Sequence, residues 1–217
     1  MLEDACVNYE SEIIAAKAGA DRIELCTDYS VGGITPNLKV TEKLIKNISI
    51  PVFVMIRPID GSFILSETQI RNSKSEIRNF ENIGVKGFVF GAMKENSELD
   101  YSVLKRLVSL TNLHCTCHRV FDRGSNLFNS LEKVIDCGFK RILCSGGKGN
   151  AIDNLETLKK LNEAAKGRIT IMPGGGVRSS NIETLMETGC VEFHSSGILR
   201  GKIADEGEII KIKQHLN

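Results

Sequence analysis

Apolar residues fall in short runs separated by longer amphipathic stretches. Residues 2–7, 22–26, 52–57, 87–91, 114–119, 140–145, 169–173 and 191–194 are short, mostly apolar and bounded by Gly, Pro or polar turns, which predicts strands. Residues 10–18, 38–46, 66–83, 100–110, 127–137, 155–165, 180–188 and 206–215 follow them with helical spacing of their apolar positions. Strict strand–helix alternation implies a parallel sheet with helices outside it. Eight such units in 217 residues predict an α/β fold, a closed (βα)8 TIM barrel occupying residues 1–217 as one domain. An open doubly wound sheet is the rival, but no Gly-x-Gly-x-x-Gly follows the first strand. A weak repeat favours closure: Gly19, Gly84, Gly138 and Gly189 each cap a helix just before an even-numbered strand.

The seventh strand runs into Pro173, which cannot donate to a ladder, and then into Gly174, Gly175 and Gly176. Glycines there let the backbone take positive φ and approach a ligand. The eighth strand runs into Ser195, Ser196 and Gly197. Small-residue loops after strands seven and eight predict an anion site, with the next helix opening at residue 180.

Several strand residues are polar where a barrel core is ordinarily Val, Ile or Leu. Glu3, Glu24, Arg57, His118, Arg119, Ser145, Glu192 and His194 stand on strands or at their ends, and Asp122 just beyond one. Side chains alternate along a strand, so Glu24 shares a face with Cys26, and Glu192 with His194. Glu24, Arg57, His118 and His194 are predicted to converge on one pocket at the C-terminal mouth. A structural alternative is an ion-pair layer in which Arg22 takes part.

Net charge is +1, Trp is absent and no apolar run approaches the ~20 residues of a membrane span, so neither nucleic acid nor membrane is an expected partner. Glu3 and Asp4, almost at once after Met1, predict no export signal, and seven scattered cysteines predict reduced thiols in the cytoplasm. Cys115 and Cys117 resemble a metal pair. If His118 faces the lumen, however, both thiols face the helices, and the four His form no zinc-like cluster.

Gly19-Ala-Asp-Arg-Ile-Glu-Leu-Cys26, Gly32-Gly-Ile-Thr-Pro36, Val54-Met-Ile-Arg-Pro58, Thr116-Cys-His-Arg-Val-Phe-Asp122, Ile171-Met-Pro-Gly-Gly-Gly-Val177 and Glu192-Phe-His-Ser195 together resemble the CutC family over essentially the whole chain. The resemblance implies a cytosolic TIM barrel, a homodimer or higher homo-oligomer, and a role in copper homeostasis. It also implies a Cu(I) site using cysteines near the ends of the first two strands, with Cys26 as one ligand. This chain departs from the family pattern in several places, among them Cys117-His-Arg-Val-Phe-Asp122 for Phe-His-Arg-Ala-Phe-Asp and Cys144-Ser-Gly146 for Thr-Ser-Gly. The loop usually written Arg-Pro-Arg-Gly-Gly-Asp-Phe is Arg57-Pro-Ile-Asp-Gly-Ser-Phe63, a following Tyr is Leu65, and the first-strand Cys is Ala5.

Three functions follow as expectations. One is Cu(I) handling through Cys26. Another is an enzyme on a small phosphorylated or carboxylated substrate. There Gly174, Gly175, Gly176, Ser195, Ser196 and Gly197 hold one anionic group, Arg57 clamps a second, and Glu24, His118 and His194 do acid–base work. The third is a partner-binding barrel that has lost its chemistry. For copper, one thiolate predicts weak Cu(I) binding, because Cys6 lies one residue out of phase with Ala5 and turns away from the lumen.

Overall fold

The computed structural model describes residues 1–96 and 98–217. Its strands are β1 (Leu2–Cys6), β2 (Arg22–Leu25), β3 (Val52–Met55), β4 (Gly87–Phe90), β5 (His114–Cys117), β6 (Arg141–Cys144), β7 (Thr170–Pro173) and β8 (Phe193–Ser195). The helices are α1 (Tyr9–Lys17), α2 (Leu38–Ile45), α3 (Glu67–Asn82), α4 (Tyr101–Val108), α5 (Leu127–Asp136), α6 (Leu155–Ala165), α7 (Ile182–Met186) and α8 (Glu206–Leu216). The strands pair in parallel in the order β7-β6-β5-β4-β3-β2-β1-β8. A parallel bridge from Gly174 to His194 brings the two outer edges together, so the fold is a (βα)8 TIM barrel.

Local chemistry sets the helix ends. Asn8, Asn37, Asp100, Asn126 and Asp205 each accept a first-turn N–H, and Ser66 forms a capping box with Gln69. Such caps stabilise a helix by about 1 kcal/mol each. Gly19, Gly84, Gly138 and Gly189 have φ of 94°, 94°, 95° and 75°, which lets the chain leave a helix and enter the next even-numbered strand.

The main core lies between sheet and helices, where Ile23, Leu25, Val54, Phe88, Phe90 and Ile142 meet Leu104, Leu131, Leu158 and Ile209. Cys6, Cys115, Cys117 and Cys144 belong to this layer and pack as small hydrophobes. A smaller cluster of Cys26, Phe53, Met55 and Val89 fills the lumen. Below it, near the N-terminal ends of the strands, is a layer of ions. Arg22 pairs with Glu3 and lies 2.8 Å from Glu192, and Arg141 also binds Glu192. The Arg22 and Arg141 guanidiniums stand 4.9 and 5.4 Å from the Phe53 ring centroid.

Most segments are a residue or more shorter than the apolar pattern predicts, and three of them have a local cause. β5 stops at Cys117 because the His118 ring accepts the Val120 N–H and turns residues 119–123 into a 3-10 helix. β8 begins at Phe193, opposite Leu2, the first residue of β1. α7 begins only at Ile182, because Asn181 caps the Arg178 N–H and reaches back to the Gly176 carbonyl.

Candidate functional site

A cavity of about 670 Å³ opens at the C-terminal ends of the strands. Glu24, Cys26, Arg57, His118, Gly175, Gly176, His194, Ser195 and Ser196 all line it. Gly174 and Gly197, read from the sequence as part of the anion site, do not. Gly174 is wedged beneath the mouth, with Leu143 Cδ1 2.3 Å from where a Cβ would stand. Gly197 faces Ile209 and Asp4, and its N–H is held by the Ser195 hydroxyl. Glu192, expected beside His194, is committed to the ion layer below.

On the floor, Glu3 sits across the ladder from His194, and Ala5 across from Glu24. Glu3 gives one oxygen to Arg22 and the other to His194 Nδ1 at 2.8 Å. Burial opposes its charge, but Arg22 and His194 hold its carboxyl down to about 2. Glu24 makes no hydrogen bond to either: burial, with the Glu3 charge, outweighs the opposing charges of His194 and Arg22 and raises its carboxyl to about 7, and its Oε2 is buried without a hydrogen bond. Burial disfavours the His194 imidazolium, yet Glu24 and Glu3 outweigh it and raise its pKa. Donor atoms of Glu3, Glu24 and His194 lie within 4.8 Å of one another, so the trio can share protons or a cation. Spacing along the chain could not reveal this trio, which comes from three strands.

The electrostatics of His118 differ from those of His194. Burial and the nearby Arg57 lower its pKa to about 3, so its imidazole is neutral. Nδ1 accepts the Val120 N–H, which assigns the proton to Nε2. It is therefore a hydrogen-bond donor to the mouth. Arg57 Nη1 donates to the Val31 and Gly33 carbonyls, both at 2.8 Å, and fastens the loop after β2.

Four basic residues outside the expected set also line the cavity: Arg119, Arg123, Lys148 and Arg178. Arg178 spans the loops after β7 and β8, donating to the Val177 and Ile198 carbonyls and to Ser195 Oγ. Arg119 donates to Ser145 Oγ and the Gly149 carbonyl. With Arg57, five basic side chains face the cavity against two carboxylates, Glu24 and Asp122. The position of Arg178 two residues after the glycine turn was the available sequence signal.

The sulfur chemistry follows strand parity. Ala5 lines the cavity, while Cys6 belongs to the helix-facing layer and lies 3.4 Å from Asp4 Oδ1. Cys26 is the cysteine on the cavity among the described residues. Burial pushes its thiol well above the ordinary range. Gly33 packs on it: a Cβ there would stand 2.8 Å from Cys26 Sγ and 3.8 Å from Met55 Cε.

A TIM barrel with a polar, mainly basic mouth is the class these observations define. The CutC family profile matches residues 1–199, and the chain belongs to the CutC family. It is 41% identical over 198 residues to the human copper homeostasis protein cutC homolog, covering 90% of this chain and 72% of that protein. It is 38% identical over 196 residues to a family protein CutC of Photorhabdus laumondii, covering 90% and 79%. The Streptococcus agalactiae CutC crystal structure superposes with a TM-score of 0.85 at 30% identity, over 90% of this chain and 98% of that one. No helix among the described residues is long and apolar enough to cross a membrane.

Proposed function

We propose that the barrel mouth binds a small anionic molecule, phosphorylated or carboxylated, and exchanges a proton with it through Glu24 and His194. The observation that carries this reading is the excess of basic side chains around a floor carboxyl held protonated up to about pH 7. Arg178, Ser196 and the backbone at Gly175 and Gly176 are the elements to hold the anionic group on the β7–β8 side. Glu24, with a free buried oxygen, supplies or takes the proton. His194, oriented by Glu3, is its partner. Isothermal titration with inorganic phosphate tests binding: saturable one-to-one binding that weakens at least tenfold in Arg178→Gln supports the reading. Phosphate affinity unchanged in that variant contradicts it.

Copper is the second reading, favoured by the names of the relatives and by the proximity of Cys26 and Met55. Cu(I) prefers thiolate and thioether sulfur. With one thiol on the cavity, the natural chain is a weak Cu(I) ligand, so copper binding here is secondary to the anion. Seven unpaired thiols favour a reducing, cytoplasmic setting.

A further inference from the structure

We infer that the ligand of this mouth carries two anionic groups, and that Phe63 is a movable cap over the subsite for the second, built from Arg57 and His118. The inference rests on the anion-binding reading above and narrows it to a substrate class.

Phe63 lies on the segment between β3 and α3, which forms neither helix nor strand from residue 58 to 66. Its ring centroid is 5.1 Å from that of His118, tilted by 60°. The guanidiniums of Arg57 and Arg123 stand 4.4 and 4.7 Å from the same ring. Two cations on one aromatic ring are a favourable contact for the ring, but they leave two positive charges close together. Neither Arg57 nor Arg123 has a carboxylate partner within ion-pair distance among the described residues.

Beside the ring, two donors are buried without a hydrogen bond: Arg57 Nε and His118 Nε2. Both residues are nearly inaccessible, at 5% and 4% exposure. Buried donors left unpaired are costly and point to a partner that is not protein. The remaining chemistry of each side chain is specific. Arg57 has spent Nη1 on two carbonyls, so the edge it keeps is Nε with Nη2, which matches the two oxygens of a carboxylate or phosphate side-on. His118 has spent Nδ1 as an acceptor and keeps Nε2–H as a donor. Both remaining groups donate, and Arg123 adds charge. An anionic oxygen pair satisfies all three.

The barrel order places this subsite opposite the other. Three strands separate β3 from β7 in either direction around the ring, through β4, β5 and β6 or through β2, β1 and β8. Arg57 follows β3, and Gly175, Gly176 and Arg178 follow β7. A molecule reaching both carries anionic groups at its two ends, with its middle above Glu24 and His194 on the floor. Phe63 occupies the place of the second group until the ligand arrives. Its backbone carbonyl is anchored by the Met93 N–H, so the side chain can swing while the loop stays attached.

The test is calorimetric titration of the full chain with inorganic phosphate and with a series of ω-phosphorylated straight-chain carboxylates of increasing length. The expected result is at least one member binding tenfold or more tighter than phosphate, an advantage lost in Arg57→Gln. A parallel measurement in the natural chain follows the His118 Nε2–H by nitrogen-15 NMR, where the same compound shifts the resonance and phosphate alone does not. If phosphate binds and no member of the series binds tighter, the second subsite is wrong and the anion reading stands. If neither phosphate nor any dianion binds, both fail.

Discussion

Glu3 on β1 and His194 on β8 face each other across the ladder that connects these strands, and the Glu3 carboxylate meets His194 Nδ1 at 2.8 Å. Arg22 fixes the far oxygen of Glu3, so the imidazole is oriented from below and its remaining edge is turned to the floor of the mouth. The pair has a definite pH window. Glu3 is depressed to about 2, so its contribution to stability is present above the unfolded value of 4.5 and is lost as pH falls through about 2. His194 is raised, so its contribution is present below 6.5 and is lost as pH rises through the folded value. Carbon-13 NMR of the histidine ring is expected to give a His194 midpoint above 6.5, and a lower one in Glu24→Gln, which removes the largest charge holding it up. An unchanged midpoint would separate Glu24 from the proton-sharing trio.

Glu12 gives a prediction on stability alone. It lies on α1, is 1% exposed, and neither carboxyl oxygen has a hydrogen-bond partner. Burial raises it from 4.5 to about 7. A raised carboxyl favours folding below its unfolded value and loses that contribution as pH rises through the folded one. Denaturant unfolding is therefore expected to show Glu12→Gln more stable than the natural chain at pH 8, by on the order of 2–3 kcal/mol, with little difference at pH 4. A destabilised variant at pH 8 would mean that the carboxylate has a partner.

Gly175 tests the loop after β7. Its φ is 96°, and a Cβ would stand 2.8 Å from the guanidinium carbon of Arg119. Gly175→Val is expected to lose about 1–2 kcal/mol of stability through backbone conformation and to displace Arg119 from the mouth. Phosphate affinity should fall by more than tenfold while circular dichroism stays that of a folded barrel. A folded variant with full affinity would move the anion elsewhere.

Copper is addressed by parity. Ala5→Cys places a second thiol on the cavity beside Cys26, and is expected to strengthen Cu(I) binding by at least tenfold in competition with a chelator. Cys26→Ser in that background should remove the gain. Tight one-to-one binding by the natural chain that is lost in Cys6→Ser would show that Cys6 reaches the lumen.

Much of the fold was legible because each βα unit carries its own signals: an apolar run, a polar cap and a glycine at the helix exit. Parity along β1 was enough to turn Cys6 outward and Ala5 inward. What could not be read depends on register between strands distant in sequence. The placement of Glu192 with Arg22 and Arg141 requires β2, β6 and β8 to be brought to one level of the lumen. The role of His118 depends on a bend that its own ring stabilises, which converts an apparent strand residue into a cap. Arg178 lies between the glycine turn and the next helix, and only the fold shows that its side chain fastens the two loops that form one wall of the mouth.

We propose the mouth as an anion site before all else. The most direct measurement is a crystal structure of the natural chain grown in phosphate. A phosphate is expected beside Arg178, between the loops of Gly176 and Ser196, with Glu24 and His194 beneath it. Phosphate absent from that position at a concentration saturating in solution, with the ion bound on the outer surface instead, would contradict it.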